Sequence, residues 1–247
     1  MKTFHIFFRN FLARTFRNRL SYLLHFAVPV ATFMLMYLLL RVAESAAFAG
    51  IQAIGLVVYF SMIQASLIVS LVLKDKEQGV QKRIMVSPAS RIVYVLGNGA
   101  AAFIILTVQV LVFVSFITFI YRVPIGLGFF QLVLILLVFN VTGIGFGFFV
   151  CALSDTSSGA MMIANLLLMF SSLLGGSFFP VEFMSPFMRK LAFAFPQYWV
   201  MKAIRQTQAH ASFSESYLSL VILLLFGGLF ILLRGACVRR EGRRAAA

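Results

Sequence analysis

The chain has 247 residues, of which 62% are hydrophobic and 11% are charged, against about 25% charged residues in an ordinary soluble domain. A soluble globule of this length cannot hide so many apolar side chains, which points to an integral membrane protein and excludes a soluble enzyme, a disordered tail and a secreted disulfide scaffold. The net charge of +14, from 21 Lys and Arg against 7 Asp and Glu, lies between the apolar runs and reads as a topology signal, not as a nucleic-acid footprint.

Residues 1–19 are predicted to form an interfacial helix. Phe4, Phe7, Phe8, Phe11, Leu12 and Thr15 fall on one side, and Arg9, Asn10, Arg14 and Arg17 on the other. Such a helix lies in the membrane surface with its arginines toward anionic headgroups. It serves as a topology anchor or as a docking surface for a cytoplasmic partner.

Six stretches lack Asp, Glu, Lys and Arg: 20–40, 45–73, 92–121, 125–154, 156–181 and 216–233. A helix needs about 17–25 apolar residues to cross the hydrocarbon layer. The runs are continuous, whereas barrel strands alternate over about ten residues. Six transmembrane helices are therefore expected, at 20–41, 45–73, 92–121, 125–154, 156–175 and 216–234. The first is too long for a cleaved signal and is expected to be retained. With the N-terminus inside, 15 Lys and Arg fall in inner segments and 6 in outer ones, so both termini, including the basic tail 235–247, are placed in the cytoplasm.

Two connecting segments stand out. Residues 74–91, KDKEQGVQKRIMVSPASR, hold seven of the 28 formal charges. Gly79 weakens a helix there and Pro88 ends one, while Ser87 suits a helix N-cap. A solvated basic loop accounts for the lysines and arginines but not for the interleaved Asp75 and Glu77. Residues 176–205 are apolar yet follow Gly175 and are broken by Gly176, Pro180, Pro186 and Pro196. Broken backbone at membrane depth needs cover from protein or water, so a re-entrant helical hairpin is expected at the outer face, with Glu182, Arg189 and Lys190 near the headgroups.

No catalytic constellation stands out. His5, His25 and His210 have no carboxylate beside them in sequence, and Cys151 and Cys237 read as free thiols. A P-loop needs Gly-Lys before Ser or Thr, and no glycine here precedes a lysine. All seven acids lie at span ends or in loops, against a proton-driven carrier. The span interiors hold Gln64, Gln109, Gln131, Asn140 and Asn165, each of which requires a partner. Gly143 and Gly147 permit close helix approach. Met169 and Phe170, with Gln64 and Asn165, are candidate lining of a cargo cavity, although ordinary packing explains each one as well.

This order of elements resembles the permease subunit of ATP-binding-cassette exporters of the type-two transport-permease class. One stretch that carries the resemblance is Lys76-Glu77-Gln78-Gly79, then Arg83, Ser87-Pro88 and Leu96-Gly97. The other is Gly176 to Pro180, Arg189-Lys190, Pro196 and Ala203-Ile204-Arg205. Family members often carry an acid where this chain has Gln81 and Lys82. The resemblance implies a single permease domain over 1–247 that binds no cofactor and no nucleic acid. It implies cytoplasmic ATPase subunits holding ATP and Mg, a second permease copy or relative, and membrane lipids as partners. Glu77, Gly79, Arg83, Ser87 and Pro88 would then form the ATPase-coupling region, in a prokaryotic plasma membrane. The function expected is outward movement of an apolar or amphipathic cargo such as a drug, peptide, lipid or lipid-linked glycan. The rivals are an ATP-independent channel or secondary carrier, and a membrane anchor that moves nothing.

Overall fold

The computed structural model describes residues 2–17, 19–42, 46–80, 91–123, 125–209 and 213–244. Among them it is all-helical. The α-helices are α1 (Lys2–Arg17), α2 (Arg19–Arg41), α3 (Ala46–Glu77), α4 (Arg91–Ser115), α5 (Phe129–Val150), α6 (Ser157–Leu174), α7 (Pro186–Ala192), α8 (Pro196–Gln208) and α9 (Phe213–Arg244). A π-helical turn, Phe116–Ile120, extends α4, and a 3-10 turn, Val181–Phe183, precedes α7.

Among the described residues five helices are long and apolar enough to cross a membrane: α3, α4 with its π turn, α5, α6 and α9. The first expected span corresponds to α2, of which Phe26–Arg41 is described with its side chains as an apolar helix. Each long helix has the continuous hydrophobicity that removes any advantage from unwinding in lipid, where every backbone polar group must be bonded within the segment.

Burial divides these helices into central and peripheral ones. In their most apolar windows α5 is 72% buried and α3 67%, against 17% for α9. The sequence of α5 explains its centrality. Gly143 and Gly147 lie against Ala65 and Ser66 of α3, and a Cβ at Gly145 would stand 2.7 Å from the Gly227 carbonyl oxygen of α9. Residues without side chains thus let α5 meet one helix on each side, as small residues do where no hydrophobic effect drives helices together. Polar side chains add bonds at the same contacts. Asn140 Nδ2 donates to the Leu106 carbonyl of α4 at 3.3 Å, and Thr142 Oγ1 donates to the Leu223 carbonyl of α9 at 2.7 Å.

The remaining helices are placed by side-chain packing. Phe33 and Tyr37 of α2 and Phe113 of α4 share the main core with α3. The apolar side of α1 rests on α4: Phe11 is buried with Tyr94, and Phe7 meets the Tyr94 ring edge-on at 5.3 Å.

Candidate functional site

The charged end of α3 holds Asp75, Lys76 and Glu77, and each reaches a different part of the molecule. Successive helix residues point about 100° apart, so three neighbours fan out over most of a turn. Asp75 is buried. Its Oδ1 accepts from Arg14 Nη1 of α1 at 2.5 Å, and its Oδ2 accepts from the Tyr94 hydroxyl of α4 at 2.7 Å. Lys76 Nζ donates to Asp155 Oδ1 at 2.7 Å in the turn between α5 and α6. That contact holds the Asp155 carboxyl below its ordinary range, through the hydrogen bond first and the lysine charge second.

Glu77 completes the set. Its carboxylate accepts the backbone N–H of Ser157, the first residue of α6, and lies 3.3 Å from Ser157 Oγ. A helix start leaves N–H groups unbonded and carries partial positive charge, so a carboxylate there is doubly favoured. Thr156 supplies the local N-cap, accepting from Gly159 N at 3.1 Å. The alternation of acid and base in 75–77 is therefore a set of three addresses, which a loop serving only as a topology signal would not require.

Gly79 then turns the chain. Gln78 N donates to the Lys74 carbonyl and Gly79 N to the Lys76 carbonyl, closing α3. Gly79 has φ +70°, the left-handed region where a side chain would be strained. A cavity of about 500 Å³ opens beside Asp75, between Asn10, Phe11 and Arg14 of α1, Tyr94 and Asn98 of α4, and Val80.

The structure unites some of the expected site residues and separates others. Glu77 and Gly79 sit together, with Arg14 joined to the same helix end through Asp75. Arg83, Ser87 and Pro88 lie outside the described residues, as does the side chain of Arg17. Arg9 and Arg14 are both exposed, and Arg14 donates to the buried Asp75. Of the candidate cavity residues, Gln64 is buried, and its Oε1 has no hydrogen-bond partner. Asn165, Met169 and Phe170 lie instead on the exposed face of α6.

In the hairpin region, Gly176 makes the turn after α6 with φ +81°. Pro180 caps the 3-10 turn, and Pro196 opens α8. The Glu182 carboxylate accepts from Arg205 Nη1 through both oxygens, at 2.7 and 3.0 Å. The Arg189 guanidinium donates to the backbone carbonyls of Glu182 and Met184.

Sequence reasoning missed Ser157, Asp155 and Tyr94 as partners, although alternating charge at a helix end was the available signal. It also missed Gln197, an amide two positions into a helix opened by proline.

A bundle of apolar helices with one densely cross-linked polar end defines a multi-pass membrane protein. The chain belongs to the ABC-2 type transporter family, whose profile matches residues 2–209. That makes it a membrane component of an ATP-binding-cassette transporter, a component that works with ATPase subunits. No curated protein matches the chain.

Proposed function

We propose that this chain is the permease of an ATP-driven exporter and carries an apolar or amphipathic cargo outward across a prokaryotic plasma membrane. In this reading six helices span the bilayer, α2 being the first, and both termini are cytoplasmic. The segment 176–205 is a re-entrant hairpin at the outer face. Two permeases pair around a pathway, and separate ATPase subunits bind ATP with Mg. The exposed α6 face with Asn165, Met169 and Phe170 faces that pathway or the second copy.

The observation that carries the reading is the bond from Glu77 to the start of α6. Residues 78–91 are the proposed contact for the ATPase, with Gly79, Arg83, Ser87 and Pro88 shaping it. A push on this segment is passed by Glu77 to α6 and by Asp75 to α1 and α4. Work is transmitted when such contacts differ between two states of the transporter. The Lys76–Asp155 pair is exposed and can break and re-form at modest cost, whereas buried Asp75 ties the end of α3 to α1 and α4 more firmly.

The test is to purify the tagged chain in mild detergent and identify what co-elutes. A near-stoichiometric ATP-binding-cassette ATPase is expected. Glu77→Ala and Arg83→Ala should each lower transport-coupled ATP hydrolysis about tenfold while the protein remains monodisperse, a loss of about 1.4 kcal/mol in coupling. Unchanged coupled hydrolysis in both variants would remove the coupling assignment. Flux driven by a gradient through the purified chain alone would replace it with a self-sufficient carrier.

A further inference from the structure

The structure assigns a binding site for one phosphodiester group, of the kind a lipid headgroup carries, to the cavity between the 3-10 turn Val181–Phe183 and α8. The cavity measures about 180 Å³, and Glu182, Tyr198, Lys202, Arg205 and Gln206 are its polar lining. All of these side chains belong to residues that are partly or fully exposed.

Unmet donors dominate this lining. Arg205 meets both Glu182 oxygens through Nη1 alone, at 2.7 and 3.0 Å. Its Nε and Nη2 have no acceptor among the described residues, and that edge of a guanidinium grips an oxyanion through two parallel bonds. Lys202 Nζ stands 5.1 Å from the centre of the Trp199 ring and has no hydrogen bond or ion pair among the described residues. The indole beneath it is fixed, since Trp199 Nε1 donates to the Phe193 carbonyl at 2.9 Å. Ammonium and guanidinium groups carry donors only, so these needs do not depend on how a hydroxyl or an amide is turned. Tyr198 adds a hydroxyl with no hydrogen-bond partner among the described residues. Burial pushes that hydroxyl above its ordinary value, with the Arg205 charge opposing and the Glu182 charge adding, so it stays protonated at neutral pH.

Charge and size narrow the ligand. Lys202 and Arg205 line the cavity with one carboxylate, Glu182, which leaves a surplus of a single positive charge. A phosphodiester carries one negative charge, whereas a phosphate monoester carries about 1.5 to 2 at neutral pH. Donors on three side chains suit the four oxygens of a phosphodiester better than the two of a carboxylate. At about 30 Å³ per water the cavity has room for roughly six, which accommodates a phosphate and its first ester atoms but not an acyl chain. Chains have a surface beside it. Phe179, Phe183 and Phe187 are 61%, 81% and 75% exposed, an apolar rim next to the 3-10 turn of the kind that lipid covers. Binding is read without nucleotide, so it stands apart from ATP coupling.

The experiment uses the full chain in an uncharged maltoside detergent and reads the emission of Trp199, the chain's one tryptophan. Dioctanoylphosphatidylglycerol should shift it saturably, because an anion that draws Lys202 off the indole changes the surroundings of the ring. Dioctanoylglycerol, with the chains but no phosphate, should not. Glycerophosphoglycerol, with the phosphate but no chains, separates the two sources. A shift at similar concentration assigns the site to free phosphodiesters, and a need for at least about tenfold more assigns it to a lipid headgroup. Tyr198→Phe should weaken the shift about tenfold, the ratio a single bond to a charged group supports. Native mass spectrometry reads lipid retention where Lys202 itself is changed. Lys202→Gln should lose about tenfold in affinity, while Lys202→Arg should stay within about threefold. Lys190→Gln, which removes the same charge from an exposed position outside the cavity, should stay within about twofold. No saturable shift with either phosphodiester would overturn the site. So would an equal shift with dioctanoylglycerol or decanoate, or equal losses in Lys202→Gln and Lys190→Gln, the mark of diffuse charge attraction. If Lys202→Gln does not give a monodisperse protein, Tyr198→Phe decides.

Discussion

The two ends of α3 are fixed by opposite means. At the Asp75–Glu77 end, charged side chains reach outward to α1, α4, the 151–156 turn and α6. Toward the other end the backbone itself makes the contact. A Cβ on Gly55 would lie 2.1 Å from the Ser177 carbonyl oxygen, and Gln52 Nε2 donates to the Ser177 and Phe178 carbonyls at 3.3 and 2.7 Å. The turn following α6 is thus pressed onto α3 with no formal charge involved. Charge is used where one or both members of each ion pair are open to solvent. Close approach and neutral amides are used where an unpaired charge would be expensive. One end is suited to switching and the other to holding.

The sharpest way to break this comparison is Gly55→Ala. Its methyl group has no room against a backbone atom, so a loss of about 3 kcal/mol, or failure to fold, is expected. Thermal unfolding in detergent checks it, with Gly228→Ala as control, since a Cβ there meets nothing within 4 Å. If the two variants unfold alike, the close contact at Ser177 is not holding the helix.

A smaller effect is expected at the charged end. Asp75→Asn removes a carboxylate whose side chain is 5% exposed and that bonds two other helices. The Arg14 side chain is 43% exposed, so solvent regains part of the loss, and about 2 kcal/mol is expected. The same melt measures it, and high salt should weaken the unaltered protein only slightly, because Asp75 is shielded.

The smallest effect belongs to the exposed pair. Lys76→Ala should cost under about 0.5 kcal/mol. The Asp155 carboxyl titrates below its ordinary value of 3.8 in the folded protein. The pair's contribution is therefore fully present above pH 3.8 and is lost as pH falls through the lower folded value. Melts of Lys76→Ala and the unaltered chain should differ near neutral pH and converge in acid. A difference that persisted below the folded titration would show that Lys76 acts by packing.

Some of this was readable in advance because it depends on neighbours in sequence. The long apolar runs became α3 to α6 and α9, since a continuous hydrophobic stretch is stable in lipid only as a helix. The turn at Gly79 followed from the freedom of glycine. Gly143 and Gly147 were legible as a close-packing pair, but Gly145, facing the opposite helix, was not. Gln64, Asn165, Met169 and Phe170 illustrate the limit. They are similar in type and lie in apolar helices, yet one is buried and three are exposed, because orientation about the helix axis is set by the packed partners.

Composition and local pattern by themselves determined the class of the protein, its helical spans and its polar segments, because hydrophobicity and backbone preference act over a few residues. The tertiary structure alone decided that Glu77 meets Ser157, that Arg14 meets Asp75, and that Gln197 meets Met62. These pairings join residues 80, 61 and, for Gln197 to Met62, 135 positions apart. Only the joint packing of several helices brings such groups within hydrogen-bonding distance.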